Sequence, residues 1–136
     1  MLLPYRTITI GARTQYVVKV SPEDYDFLMQ WKWTYAISHQ GGALVYARRS
    51  ERRDGRNVTI LMHRVIITKC MGLKRPSSRH FVDHWNGDSL DNRRIADCGR
   101  AQLRWVTPRQ NMANQRGVIN LPVAPELRPV VSEIPF

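Results

Sequence analysis

The chain has 136 residues, of which 43% are hydrophobic, which is enough for the modest core of one domain. Its formal net charge is +10, and this excess of positive charge favours a polyanionic partner such as nucleic acid. No apolar run is long enough to span a bilayer, and the start MLLPYRTIT is too short and too broken for a signal peptide. We therefore expect a cytoplasmic protein with no membrane partner.

The first part of the chain predicts β-hairpins and one short helix. Alternating β-branched residues at 5–20, interrupted by a glycine turn, predict a first hairpin. A Ser-Pro start predicts a helix over 21–29 with an apolar stripe. The stretches 32–37 and 43–49 predict a second hairpin.

Basic residues are concentrated between positions 48 and 80, where ten of them are accompanied by only two acidic residues. Part of this region, at 50–56, is predicted to be an arginine-rich turn that leads to a strand at 57–60. Clustered Lys and Arg favour DNA because each contact to a phosphate releases condensed counterions. A basic surface without a specific partner is the alternative, and the clustering favours nucleic acid. The candidate nucleic-acid contacts in this region are Arg48, Arg49, Arg52, Arg53, Arg56 and Arg64.

Three aromatic residues, Trp31, Trp33 and Tyr35, lie at alternate positions at and within the first strand of the second hairpin. Aromatic rings on a sheet can stack on nucleobases. Large aromatic side chains at alternate positions are also typical of core packing, and this interpretation is favoured, above all for Trp33.

Helical spacing over 61–71, ending near Gly72, predicts a helix that carries His63. A polar and basic connection follows as far as residue 80. His63 is a candidate for supporting a functional site or touching a phosphate, and a histidine satisfied at the edge of the core is the alternative.

Residues 81–106 predict two strands joined by a long loop. An apolar entry leads to Asp83 and His84, and the turn-forming sequence Trp-Asn-Gly-Asp then begins the loop. The loop continues through Asn92, and an apolar run at 103–106 predicts the second strand.

The second strand is followed by a well-marked helix start. Thr107 can cap the helix, Pro108 suits its first position and Gln110 completes a capping box. Asn111 and Asn114 then lie three apart on one helical face. The order strand, loop, strand, helix predicts a compact ββα unit that holds a metal, with the Asp-His pair at one end and asparagine at the other.

The run VDH…NGD…LDNRR…LRWVT…QN…N resembles the HNH endonucleases of phages and mobile introns, in the H-N-N variant whose last ligand is asparagine. The resemblance extends upstream to the Met-His-Arg sequence around His63 and, more weakly, to residues 24–33. It covers residues 16–116, and its specific part is confined to 81–116.

The resemblance implies the roles of the site residues. Asp83 and Asn111 would hold Mg²⁺ or Mn²⁺ with the scissile phosphate, because hard divalent ions prefer oxygen ligands. His84 would be the general base that activates water. Asn92 would tie the loop together and position His84, and His63 would support the site. The expected products are a 5′-phosphate and a 3′-hydroxyl.

The loop departs from the family pattern in two details. Residues 95–102 look like a short insertion, and Gln102 stands where asparagine is usual in the family. Arg93 and Arg104 are further candidates for contacting phosphates, although either can pair with a neighbouring aspartate instead.

The expected fold class is α+β, with a β-rich amino-terminal half followed by a ββα-metal unit. Residues 1–116 would form a single endonuclease domain, comprising a DNA-binding half (1–60), a helix and basic linker (61–80) and the ββα unit (81–116). Residues 117–136 are proline-rich and predict an extended arm. The expected function is nicking of double-stranded DNA by a monomer or homodimer. A catalytically inactive DNA- or RNA-binding module on the same scaffold is the alternative.

The two cysteines form no CxxC pair, which favours free thiols in a reducing compartment. A zinc-bound structural domain is nevertheless a further alternative to the magnesium site. Its candidate ligands are His63, His80, Cys70 and Cys98.

Overall fold

The structure is a computed structural model that describes residues 4–38 and 44–113. The described residues form a mixed α+β fold, as predicted, in which strands outnumber short helices. In chain order the elements are β1 (Arg6–Ile10), β2 (Tyr16–Val20), α1 (Pro22–Leu28), β3 (Thr34–Ser38), β4 (Leu44–Arg53), β5 (Arg56–Leu61), α2 (Met62–Val65), a π-helical segment (Ile66–Cys70), β6 (Phe81–His84), β7 (Asp91–Asn92), β8 (Leu103–Val106) and α3 (Pro108–Ala113).

The first sheet joins the amino-terminal hairpin to the loop that carries Asn92. β1 and β2 are antiparallel, as predicted, and the short strand β7 pairs in parallel with β2. The backbone N–H of Lys19 donates to the carbonyl of Leu90 at 2.9 Å. The hydroxyl of Ser21, predicted as a helix cap, instead accepts from the backbone N–H of Arg94 at 2.9 Å. The loop is therefore fixed by residues far away in the sequence.

The second sheet has the antiparallel order β3-β4-β5. The prediction of a turn over 50–56 is wrong, because β4 continues to Arg53 and its residues from Arg48 to Arg53 pair with β5. The reversal is a tight turn at Asp54 and Gly55, which have φ angles of 49° and 75°. An Asp-Gly pair adopts these left-handed angles at little cost, so the turn needs only two residues. The turn of the β3–β4 hairpin lies outside the described residues.

The predicted helix over 61–71 is present as α2 and the π-helical segment, and it ends before Gly72, whose φ is 72°. The sequence spacing predicts that Leu61, Val65 and Ile66 share the buried face of this helix, but the face that enters the core is different. Met62, Ile66 and Ile67 are fully buried, whereas Leu61 and Val65 are only half-buried. A π turn contains more residues than an α turn, and it rotates the buried stripe around the axis.

The last unit has the predicted order of strand, loop, strand and helix. β6 and β8 are antiparallel, with Phe81 opposite Val106 and His84 opposite Leu103, and α3 follows. Val82, Leu90 and Leu103 belong to the same core cluster as the residues of β1 and β2. This unit and the amino-terminal part therefore share one hydrophobic core.

The sequence also predicted that Trp33 packs in the core and that the chain ends in a proline-rich arm. Trp33 is buried, with its Nε1 donating to the carbonyl of Leu28 at 2.8 Å, so the core interpretation is confirmed. The proline-rich arm and Asn114 lie outside the described residues.

Among the helices of residues 4–38 and 44–113, none combines the length and the apolar composition needed to cross a membrane.

Candidate functional site

His84 ends strand β6 and faces the interior. Its Nε2 lies 2.8 Å from Oδ1 of Asn92, at the end of β7. An amide oxygen only accepts hydrogen bonds, so Nε2 carries the proton and the neutral ring keeps its lone pair on Nδ1. The predicted pairing of these two residues is thus present in the geometry. The ring is 7% exposed, which is more enclosed than a typical surface histidine.

Two other rings pack around His84, and we call Tyr46, His63 and His84 the ring cluster. The ring centroids of His63 and His84 are 5.2 Å apart in an edge-on arrangement. Tyr46 lies 5.6 Å from His63 and 6.3 Å from His84. The cluster joins β4, α2 and β6, so His63 supports the ring of His84 from the side. The Nδ1 of His63 is buried and has no hydrogen-bond partner among the described residues.

Both histidines of the ring cluster titrate below their ordinary range. Burial lowers the pKa of His84, and the hydrogen bond to Asn92 and the charge of Asp88 partly oppose this effect. Burial lowers the pKa of His63 much further, and the charges of His84 and Arg64 add to it. Both rings are therefore neutral near pH 7, which is the state that a general base requires.

Asp83 lies on the opposite face of β6 from His84, because side chains alternate along a strand. Its Oδ2 accepts from Nε and Nη2 of Arg104 at 3.1 and 3.0 Å. Arg104 stands directly opposite in the strand pair and is partly exposed. Arg104 is thus paired with a carboxylate, but its partner is Asp83 on the facing strand and not one of the loop aspartates Asp88, Asp91 and Asp97 that the sequence suggested.

Asn111 is positioned by the start of α3. The predicted capping box is confirmed: the backbone N–H of Thr107 donates to Oε1 of Gln110 at 2.9 Å, and the N–H of Gln110 donates to Oγ1 of Thr107 at 3.2 Å. Asn111 follows as a half-buried residue whose N–H donates to the carbonyl of Thr107.

The donor types on the two elements suit a hard cation. A carboxylate on Asp83 and an amide oxygen on Asn111 are ligands that Mg²⁺ accepts, with phosphate and water filling the remaining positions. Residues 4–38 and 44–113 contain no group of three or more His, Cys, Asp and Glu placed to hold a metal.

The loop between the strands is organised by a buried ion pair. Arg93 is 2% exposed, and its Nε and Nη2 donate to the two carboxylate oxygens of Asp91 at 2.8 and 2.7 Å. Its Nη1 donates to Asp97 at 2.6 Å. The hydrogen bond to Asp91 raises the pKa of Arg93. The prediction that Arg93 contacts phosphate is therefore corrected, because its guanidinium is enclosed and already paired.

Sequence reasoning missed the part that Gln102 takes in this loop. The side chain is fully buried, and its Nε2 donates to Oδ1 of Asn86 at 2.7 Å and to the carbonyl of Asp91 at 3.1 Å. Asn86 in turn donates to the carboxylate of Asp91 at 2.8 Å. The available signal was a glutamine at a position where the resemblance predicts asparagine.

The predicted insertion, residues 95–102, forms a small closed loop. Ile95 and Ala101 form a β-bridge, and the N–H of Ala96 donates to the carbonyl of Arg100 at 2.7 Å. The guanidinium of Arg100 lies 4.8 Å from the ring of Trp85. Trp85 therefore anchors the rim of the site to this loop.

The predicted nucleic-acid contacts of β4 separate onto two faces of the sheet. Tyr46, Arg48 and Arg52 occupy alternate positions and thus share the face of the ring cluster. Arg49 and Arg53 occupy the opposite face, where Arg49 lies 4.3 Å from the ring of Trp31. Arg56 on β5 lies opposite Arg53 in the register of the two strands, and Arg64 is half-buried on α2.

The ligands of the zinc alternative do not come together among the described residues. His63 is enclosed in the ring cluster, and Nδ1 of His80 lies 2.8 Å from the hydroxyl of Ser77. Cys70 and Cys98 are free thiols. Burial and Asp24 raise the pKa of Cys70 to about 11, which opposes the thiolate form that zinc requires.

These contacts define an α+β protein with an oriented histidine and a carboxylate on adjacent positions of a ββα unit. No protein-family profile, curated protein or solved structure matches the chain. Its function must therefore be argued from the geometry of this site.

Proposed function

We propose that this protein is a metal-dependent DNA endonuclease of the HNH type, acting on double-stranded DNA in the cytoplasm of a phage-infected or mobile-element host cell. The observation that carries the proposal is the 2.8 Å contact between His84 and Asn92 at the base of a ββα unit. It fixes the tautomer in which Nδ1 of His84 is the basic atom. Asp83 on the adjacent position and the capped helix with Asn111 support the same assignment.

In the proposed reaction, Nδ1 of His84 takes a proton from the water that attacks the phosphorus. Asn92 holds the ring in one orientation through Nε2, and Tyr46 and His63 restrict its movement from the side. Asp83 and Asn111 would hold Mg²⁺ or Mn²⁺, which when bound supplies positive charge at the leaving oxygen. Arg104 must share or release the carboxylate of Asp83 and is then available to a phosphate. One such centre produces a nick.

A catalytically inactive DNA- or RNA-binding module is the second candidate. Two observations favour it: His84 is 7% exposed, and Asp83 is paired with Arg104. An active site of the proposed type must admit water to His84 and release this carboxylate when the substrate binds.

Nicking of supercoiled plasmid with magnesium or manganese tests the proposal. We expect wild type to produce open circles, and His84→Ala to reduce the rate by about 10² to 10⁴, the usual contribution of a general base. His80→Ala is the matched control, because it removes a histidine outside the ring cluster and should keep wild-type activity. A wild-type protein that shifts the plasmid on a gel but leaves it supercoiled under both metals would favour the binding module.

A further inference from the structure

A second concave site lies on the face of β4 opposite the ring cluster. It is a cavity of about 600 Å³ between α1, the β4–β5 hairpin and the helical segment after β5. Small-molecule sites have volumes of about 300–1,000 Å³, so the space is of the right order for a ligand. None of the residues assigned to the proposed nuclease centre lines it.

One wall of the cavity is aromatic. Phe27 on α1 is 37% exposed, and its ring centroid lies 5.3 Å from that of Trp31. Trp31 is held in turn against the buried Trp33, with centroids 6.3 Å apart. The planes of Phe27 and Trp31 are 79° apart, so a flat base that stacks on one of these rings meets the edge of the other.

The rest of the lining is rich in cations. Arg49, whose guanidinium lies against Trp31, lines the cavity together with Arg53, Arg64 and Lys69, and Glu51 is the only carboxylate among the lining residues. Glu51 accepts from Arg49 at 3.2 Å and also from Arg53, so it neutralises part of this charge. A surplus of positive charge remains beside the aromatic wall.

Two of these guanidinium groups have unused hydrogen-bonding capacity. The Nε atoms of Arg49 and Arg64 are buried and have no partner among the described residues. Buried donors are normally satisfied, and arginine binds a phosphate in a two-pronged manner through its N–H groups. Burial and the charge of Arg75 also lower the pKa of Arg64, an electrostatic cost that an anion would relieve.

We propose that this cavity binds an unpaired nucleotide of a nucleic-acid strand, with the base on Phe27 and Trp31 and the phosphate at Arg49 and Arg64. A nucleotide has a flat base that can stack on the aromatic residues and a phosphate that the guanidinium groups can bind. The bound strand would be the DNA substrate of the proposed nuclease. Its identity as DNA therefore rests on the proposed function. It is a binding site separate from the ring cluster, on the other face of the same strand.

Equilibrium binding in the presence of EDTA tests the cavity without cleavage. The probes are a fluorescent blunt duplex, the same duplex with a single-stranded thymidine overhang, and the same overhang with abasic sites. We expect the thymidine overhang to increase affinity about tenfold over the blunt duplex, the scale of stacking one or two bases. The abasic overhang should give only a small part of this gain.

Variants assign the gain to the cavity. Phe27→Ala and Lys69→Gln change exposed residues, and each should bring the ratio of overhang to blunt affinity towards one. Arg52→Gln is the matched control on the other face of β4: it should weaken both probes and leave the ratio as in wild type.

Three results would overturn the proposal: no gain from the overhang, an equal gain from the abasic overhang, or an unchanged ratio in both cavity variants. Plasmid nicking separates this failure from failure of the nuclease proposal. A protein that nicks plasmid but shows no overhang effect would contradict only the cavity proposal. A protein that shows the overhang effect but never nicks would contradict only the nuclease proposal.

Discussion

At the scale of single residues, burial decides the chemistry of the ring cluster. His63 is 6% exposed and has no carboxylate partner within residues 4–38 and 44–113, so the neutral ring is the form that the folded protein accommodates. His84 is similarly enclosed, but Asn92 engages its Nε2 and nearby aspartates limit the fall of its pKa. The two neighbouring histidines therefore differ in role: His84 has an oriented basic nitrogen, and His63 is a neutral support.

The support role predicts how stability depends on pH. The pKa of His63 in the folded protein lies well below 6.5, so in acid the unfolded chain binds a proton that the folded protein does not. Stability is therefore fully present above about pH 6.5 and is lost as the pH falls, at up to about 1.4 kcal/mol per pH unit for each such histidine.

His63→Phe keeps an aromatic ring at this position and removes the imidazole that binds a proton in the unfolded chain. We expect the loss of unfolding free energy between about pH 6.5 and 5 to be shallower in this variant than in wild type. Urea unfolding followed at several pH values measures this slope. An identical slope in both proteins would show that His63 is not buried as a neutral ring.

At the scale of elements, short local signals set the strands and helices around the site. The Asp-Gly turn ends β4, and the capping box starts α3. A helix of six residues has few internal hydrogen bonds, so the two reciprocal bonds of the box account for much of its local stability. The position of Asn111 therefore depends on Thr107 and Gln110.

Thr107→Ala should cost about 1 kcal/mol of unfolding free energy, because it removes the cap of α3. We also expect weaker nicking at limiting magnesium, since the helix start no longer fixes Asn111. Asn111→Ala is the comparison variant: it should remove nicking with a much smaller effect on stability. Thermal unfolding and nicking across a magnesium titration measure both quantities, and equal stability of wild type and Thr107→Ala would contradict the capping role.

At the scale of the whole molecule, the pleat of β4 divides the positive charge between two faces. Arg48 and Arg52 share the face of the ring cluster, while Arg49 and Arg53 line the cavity. The positive charge of β4 is thus not one continuous patch. Duplex DNA at the proposed nuclease centre would contact only the first of these two sets.

The salt dependence of duplex binding tests this division. Arg52→Gln should weaken binding and reduce the slope of log affinity against log salt by about 0.9, the effect of losing one phosphate contact. Arg13→Gln, in the exposed turn of the first hairpin, makes the same change in net charge and should keep the wild-type slope. Equal slopes for Arg52→Gln and wild type would place Arg52 outside the duplex interface.

Most of the fold could be predicted from the sequence because its signals are local. The alternating strands, the helix at 61–71 and the capping box of α3 depend on hydrogen bonds and side-chain spacing within a few residues. The turn at 50–56 was misplaced because arginines there resemble a loop, whereas cross-strand pairing keeps them in β4. The contact between His84 and Asn92 was predicted from the sequence, but the enclosure of His84 was not.

The sequence by itself determined the order of the elements, the excess of positive charge and the residue types available for chemistry. Only the tertiary structure decided that His63 packs on His84, that Arg93 is buried in ion pairs with Asp91 and Asp97, and that aromatic and cationic residues line one cavity. The physical reason is that the ring cluster and the cavity join residues distant in the chain, whereas the ion pairs of Arg93 are local and only burial selects them over a contact with a ligand.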